Sequence, residues 1–356
     1  MTLILKTDPY RPDPEIIKKA AQVLLSGGTV VFPTETVYGL GAVVFNEAAV
    51  AKIFWAKMRP PDNPLIIHVS SLEMLNEVAT NIPEEAFKLI RVFWPGPLTL
   101  ILPRNPRVPK IVTGGLETVA VRMPAHPVAL ELIKEVSQPV AAPSANLAGK
   151  PSPTRAEHVI KDLYGRVDVI IDAGDTLYGV ESTIVNILTK PPSLLRPGAY
   201  PVELVEEVLS TKVHIPDFAR GLTEASLALA PGMKYKHYAP ETPVILVELV
   251  GGDLGLLVER VISIATAELN KSRKVCIVAS RETLKEYSEL ALKGAVVLDI
   301  GSRANLYEVA KNLFGTLRLL DELSCDVAVV EGFEEKGLGL TIMNRLRKAS
   351  LRRVTQ

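Results

Sequence analysis

From Pro243 onward the chain alternates with a regularity that leaves few folds open. VILVEL reads as a strand and is followed by a helix over 253–270, the strand KVCIVAS and a helix over 281–292. The strand AVVLDI, a helix over 305–323, the strand CDVAVVEGF and a helix over 339–349 complete it. Strands separated by helices of this length return in parallel through right-handed crossovers. Residues 244–356 are therefore expected to form a Rossmann-like parallel α/β domain. Its loop GFEEKGLG (332–339) passes from strand to helix, where an anion could be held. It lacks both the GxGxxG and the Walker spacing, so the domain reads as a partner or lid rather than a standard nucleotide site. Cys276 and Cys325 both fall in strands. They read as two small buried hydrophobes in preference to a disulfide.

Upstream the rhythm is irregular, and residues 1–210 read as a mixed α/β layer rather than a βαβ repeat. Asp13-Pro14 opens an amphipathic helix, with proline at its favoured first position, and Gly27-Gly28 stops it. The strand after it breaks at Pro33-Thr34-Glu35-Thr36, a polar turn that serves either as structure or as a ligand shelf. A helix over 47–57 runs into KMRPPDNP, where Pro60 pushes Arg59 out of the helical region. Lys57 and Arg59 are then expected to converge at a frayed helix end, where cations are favourable in any case. His68 interrupts the apolar strand LIIHVS and is either a hydrogen-bonded core residue or a ligand. Arg122, inside TVAVRMP, needs an anionic partner, an internal carboxylate or one brought by a substrate, because burying it alone is costly.

The stretch Val140–Thr154 is a short apolar strand feeding a loop rich in proline, serine and glycine. Thr154 is expected to cap the next helix, with Glu157 completing a capping box. Such a loop is either an anion cradle at a helix start or a plain connection. Residues 211–243 are a linker carrying PGMKYKHYAP. Its basic and aromatic side chains suit a segment that folds over a phosphate and a ring, although a plain tether would also satisfy the pattern.

A length of 356 residues suggests two domains. Lys+Arg and Asp+Glu are 40 each, so the chain is no polycation of the kind that holds nucleic acid through phosphates alone. No apolar run approaches membrane-spanning length and the N-terminal one is too short for a signal peptide, so a cytoplasmic location is expected. No Cys/His cluster has zinc spacing, no metal ligand set is legible, and no Ser-His or Cys-His pair suggests a covalent nucleophile. Prolines (27) outnumber glycines (23), a hint of the stiffened loops of thermophiles.

Eight motifs in order go beyond a generic α/β chain: PTETVYGLG (33–41), KMRPPDNPL (57–65), HV (68–69), WPGPLT (94–99), VRMP (121–124), APSAN (142–146), ESTIV (181–185) and RPG (196–198). Together they resemble the threonylcarbamoyl-AMP synthase family, whose core is a YrdC-like domain. The linker and the ending GLGLTIMNRLRKAS resemble its long, two-domain form. The resemblance implies a YrdC-like twisted mixed-sheet catalytic domain over 1–210, a linker over 211–243 that folds over the active site, and the Rossmann-like domain.

It further implies synthesis of threonylcarbamoyl-AMP from L-threonine, bicarbonate or CO2, and ATP with Mg2+, releasing pyrophosphate. The product would pass to the transferase machinery that modifies tRNA, without stable binding of nucleic acid by this chain. Lys57 and Arg59 would be catalytic and, with Asn63, Thr118, Ser144, Asn146, Ser152, Arg196 and Tyr235, would bind ATP. Thr34, His68, Arg122, Ala142 and Ser182 would form the threonine pocket. An RNA-binding module without adenylation activity is the alternative, and zero net charge and the lack of an aromatic stacking motif weigh against it. A carbamoyl-transfer domain like those of hydrogenase maturation is a third reading, disfavoured by the missing zinc-finger cysteines.

Overall fold

The computed structural model describes residues 1–233 and 237–355, and these divide into two compact units. The first holds Met1–Ala148, Ser152–Ala219 and the chain from Thr223 into the linker. The second holds Gly149–Pro151, Arg220–Leu222 and the chain beyond the linker.

The first unit is built on ten strands: β1 (Leu3–Lys6), β2 (Val30–Pro33), β3 (Tyr38–Val43), β4 (Ile66–His68), β5 (Leu98–Pro103), β6 (Thr118–Arg122), β7 (Val140–Ala141), β8 (Val169–Asp172), β9 (Thr183–Asn186) and β10 (Ser193–Arg196). Their spatial order is β1-β8-β2-β3-β7-β4-β6-β5-β9-β10. Pairings are mixed: β4 with β6 and β5 with β9 run parallel, while β3 with β7, β7 with β4 and β5 with β6 run antiparallel. The first helix, Pro14–Leu25, is capped as its sequence suggests, with the Asp13 carboxylate accepting from the Glu15 amide. Its buried face is Ile17, Ala20, Ala21 and Leu24.

The second unit is a five-stranded, wholly parallel sheet of β11 (Val244–Val247), β12 (Val275–Ala279), β13 (Val296–Asp299), β14 (Val327–Glu331) and β15 (Arg352–Val354), in the order β13-β12-β14-β11-β15. Three long helices, Leu254–Leu269, Leu306–Glu322 and Leu338–Ala349, make three of the four crossovers. The fold is thus a YrdC-like mixed-sheet unit followed by a Rossmann-like parallel one. Among the described residues no helix is long and apolar enough to cross a membrane.

Three local expectations are corrected. Thr154 does not cap a helix: the helix is Ala156–Leu163, its N-cap is Arg155, and no side chain caps it. The Thr154 amide instead donates to His158 Nδ1, so the histidine one turn on takes up the group that a capping box would have used. The helix expected over 281–292 is a 3₁₀ turn, Leu284–Tyr287, leading into a five-residue helix, Ser288–Leu292. Thr283 and Tyr287 are both drawn to the Glu331 carboxylate at that point. Cys276 and Cys325 are joined in a disulfide, with Cα atoms 6.0 Å apart. Pairing of β12 with β14 places Val275 opposite Val327, which brings together two cysteines separated by 49 positions and an intervening strand.

Candidate active site

Strand parity builds the site. Neighbouring paired residues project to one face, and so do residues two apart along a strand. His68 pairs with both Arg122 and Val140, Ile66 with Ala120, Ala120 with Ile101, and Thr99 with Ile184. One face of the sheet therefore carries His68 from β4, Thr118 and Arg122 from β6, Thr99 from β5, Ala142 just after β7, Ser182 just before β9, and Arg196 opposite Ile184. Between them lie Ile66, Ile101, Ala120, Ile184 and Leu195. Ala225, Ala230 and Met233 of the 211–243 segment pack against these apolar residues. A polar row on a covered apolar face is expensive unless it is satisfied or used.

Arg122 is 3% exposed, and its partner here is internal. One guanidinium nitrogen lies 2.6 Å from Glu35 Oε1, another donates to Thr36 Oγ1 at 3.0 Å, and Nε donates to the Gly96 carbonyl at 3.3 Å. The Glu35 contact is a charge contact only, since neither Glu35 oxygen nor that arginine nitrogen meets hydrogen-bond geometry. Thr34 completes the turn, with its hydroxyl donating to the Val37 carbonyl at 2.7 Å and lying 2.8 Å from Thr36 Oγ1. Glu35, Thr36 and Thr99 join the site without having been singled out as site residues in the sequence. Their signal was available in PTET and in the parity of LTLILP and TVAVR, which puts Thr99 on the face of Ile101 and Thr118 on that of Arg122.

His68 is buried, with its ring edge-on to Phe32 at 6.3 Å between centroids. Burial pushes its pKa down to about 3, helped by the positive charge of Arg122, while the backbones of Ile66 and Val140 pull weakly the other way. It is therefore a neutral imidazole at physiological pH, and its Nδ1 has no hydrogen-bond partner among the described residues. Such a ring can orient a polar group. It cannot serve as a resident cation.

Lys57 ends the helix Glu47–Lys57, where Met58 adopts the left-handed conformation of a C-cap. The lysine is 1% exposed. Its ammonium donates to the Ser144 carbonyl and, at 2.6 Å, to the Asn146 carbonyl. Its own carbonyl accepts from the Ala148 amide at 2.9 Å. Lys57 thus clamps the loop that follows β7 through the backbone oxygens of Ser144 and Asn146. That loop is also threaded along β3, with Leu40 donating to Pro143 and Ala145 to Tyr38. Arg59, two residues on from Lys57, donates to the carbonyls of Asn63 (3.2 Å) and Pro64 (3.0 Å). The left-handed Met58 turns the chain between them. Asn63 is buried, and Thr118 opens β6 four residues before Arg122.

Two further pairs bear on the roles read from sequence. The Ser182 hydroxyl lies 2.7 Å from Thr99 Oγ1 and 3.2 Å from Arg196, whose guanidinium also holds the Ser182 carbonyl at 2.9 Å. Arg196 reaches on to the Pro231 carbonyl at 3.3 Å. Its neighbour Gly198 packs so tightly that a Cβ would stand 2.2 Å from the Thr183 amide nitrogen. The Ser152 hydroxyl donates to Glu181 at 2.6 Å. The Ala142 amide is committed to the Ile66 carbonyl at 2.9 Å. Tyr235, with Lys234 and Lys236, lies outside the described residues.

Fold and site together define a two-unit α/β protein whose YrdC-like unit presents cations and hydroxyls on one sheet face. A family described as telomere recombination matches residues 22–198, and one described as the threonylcarbamoyl-AMP synthase C-terminal domain matches residues 201–350. The chain is 49% identical to the threonylcarbamoyl-AMP synthase of Pyrococcus abyssi over 94% of each chain. It is 45% identical to that of Bacillus subtilis over 98% of this chain and 96% of the relative. A crystal structure of P. abyssi Sua5 complexed with L-threonine superposes with a TM-score of 0.91 at 46% identity, covering both chains fully. The chain belongs to the threonylcarbamoyl-AMP synthase family, in its two-domain form.

Proposed function

We propose that the chain makes threonylcarbamoyl-AMP from L-threonine, bicarbonate or CO2, and ATP, releasing pyrophosphate, in the cytoplasm and for tRNA modification. The observation that carries this reading is the Lys57 clamp. A buried ammonium joins KxR to SxN in one unit that also holds the polar row of His68, Arg122 and Ser182. The relatives named for this activity and the threonine-bound neighbour support it.

In this reading threonine binds at Arg122, whose planar fork suits a carboxylate. Glu35, already beside the guanidinium, offers an acceptor to the substrate's amino group. His68, held neutral, and Ser182 address the hydroxyl. The amine nitrogen bonds to the carbon of CO2 and loses a proton, giving a carbamate. A carbamate oxygen then forms a bond to the α-phosphorus as the bond to the bridging oxygen breaks and pyrophosphate leaves. Positioning and charge stabilisation supply most of the catalysis of such a displacement, and Lys57, Arg59 and Arg196 are the cations available for it, with Asn63, Thr118, Ser144, Asn146 and Ser152 as the polar contacts. Tyr235 would stack or hydrogen-bond from the linker, whose upstream residues Ala230 and Met233 already cover the apolar part of this face.

Mg2+ would arrive with ATP. Among the described residues no three His, Cys, Asp or Glu side chains gather to hold a metal ion. Phosphate and water oxygens are its natural ligands. The test is pyrophosphate release with ATP and bicarbonate, in the presence of threonine, valine or neither. Threonine-dependent release that valine does not support is expected, because valine leaves the hydroxyl-binding groups unpaired. Salt-sensitive tRNA binding without any turnover would instead favour the RNA-binding alternative.

A further inference from the structure

The second unit has a cleft of its own, of about 360 Å³, within the roughly 300–1,000 Å³ usual for small-molecule sites. Its position follows from topology. β11 and β14 lie side by side, but the helix after β11 crosses towards β12 and the helix after β14 crosses towards β15, in opposite directions. Their loops part to opposite faces at the carboxyl ends of the strands, the switch point at which open α/β sheets bind ligands. The cleft opens there: Leu249 and Leu254 come from the β11 side, Phe333 and Lys336 from the β14 side, and Arg303 and Leu306 from the segment after β13.

The chemistry of the lining is specific. Leu249, Leu254, Leu306 and Phe333 supply apolar walls. Arg303 lies over the Phe333 ring at 4.4 Å. Three of its five N–H groups are held, by Ser280 Oγ (2.8 Å), the Gly332 carbonyl (3.0 Å) and Glu331 (2.8 Å). The Glu331 side chain is fully buried and is itself fixed by Ser280, Thr283 and Tyr287. This array aims one guanidinium at the cleft and leaves it donors to spare. The helices Leu306–Glu322 and Leu338–Ala349 both begin at the cleft without a side-chain cap, so their positive ends add to Arg303 and Lys336, with Glu334 the acid among the lining residues. Gly332 lets the β14 loop approach so closely that a Cβ would stand 2.8 Å from the Val247 carbonyl.

We propose that this cleft is a second ligand site, separate from the reaction proposed above, which takes a small phosphate monoester with an apolar or planar body. The head would lie against Arg303, Lys336 and the helix ends, and the body between the leucines and Phe333.

The test is hydrogen–deuterium exchange on the full chain with AMP, inorganic phosphate or adenosine, read in peptides covering 249–256 and 332–340. The location of the signal separates this site from any nucleotide bound by the first unit. With AMP at ten times its Kd, exchange in both segments should slow about tenfold where it proceeds by local opening. Phosphate and adenosine, each half of the ligand, should protect far less. Lys336→Glu and Leu254→Trp, both altering exposed rim positions, should remove the protection, whereas Lys285→Glu should not. Absence of protection by AMP, equal protection by phosphate alone, or protection that survives both rim variants would overturn the proposal.

Discussion

In the mixed-sheet unit the polar side chains of the site are spread over one face of five strands, whereas in the parallel unit a buried array converges on one carboxylate, Glu331. Among the described residues the first arrangement leaves His68 Nδ1 without a hydrogen bond and Glu35 with only its charge contact to Arg122. The second satisfies its carboxylate with donors from four residues. Buried polar groups left unsatisfied cost about 1–3 kcal/mol each, and such groups persist where a ligand is to complete them. The contrast matches the two proposals, chemistry in the first unit and a ligand cleft in the second. It can be broken at four points.

The largest effect should come from Lys57→Ala. Removing a buried cation from a charge-stabilised displacement should lower threonine-dependent pyrophosphate release by about 10³-fold, with the far-UV spectrum preserved. Activity near that of the parent would remove Lys57 from the reaction. The next test is on stability and concerns the second unit. The Cys276–Cys325 disulfide closes a loop of 49 residues' separation, worth about 4 kcal/mol on the chain-entropy account. Cys276→Ser should lower the urea midpoint of the second unit by a matching amount and leave turnover unchanged. A drop in activity at full folding would tie the two units together functionally.

Acid should distinguish the units next. His68 and His126 are held neutral, with pKa values lowered to about 3 and about 4, burial being the main cause for each. Both belong to the first unit. The unfolded chain takes up protons on these rings below about 6.5, and the folded chain does so only nearer 4 and 3. Their contribution is therefore whole above pH 6.5 and is lost as pH falls through that window. Both tryptophans, Trp55 and Trp94, lie in the first unit, so tryptophan fluorescence should report its loss of stability on acidification, and His126→Gln should flatten the slope. The smallest effect is expected from Ser182→Ala. It removes hydrogen bonds to Thr99 and Arg196 worth about 1 kcal/mol, and it should raise the KM for threonine more than it lowers kcat.

The parallel unit was the more legible of the two in the sequence, because alternation of strand and helix has few topological solutions. Even there the disulfide was misread, since which strands become neighbours is a tertiary fact that cysteine spacing does not encode. The mixed-sheet unit behaved differently. Its helices Pro14–Leu25 and Pro127–Val136 start where proline and their capping residues put them. The site there was visible only as motifs. Lys57 reads locally as a cation at a helix end, and nothing near it in sequence announces the carbonyls of Ser144 and Asn146. Arg122 did announce a partner, but Glu35 lies 87 residues upstream, in a turn that reads equally well as structure. Parity within LTLILP and TVAVR would have found Thr99 and placed Thr118 and Arg122 on one face, although the strands' order across the sheet would still have been needed to place His68 beside them.

The central claim, that the unit holding Lys57, His68 and Arg122 builds a carbamoyl-adenylate, is tested most directly by the product itself. Incubation with L-threonine, ATP and ¹³C-bicarbonate, followed by mass spectrometry, should give threonylcarbamoyl-AMP carrying one ¹³C from the parent protein and about 10³-fold less from Lys57→Ala. Pyrophosphate released without ¹³C in any adenylate, or equal labelled product from Lys57→Ala, would contradict it.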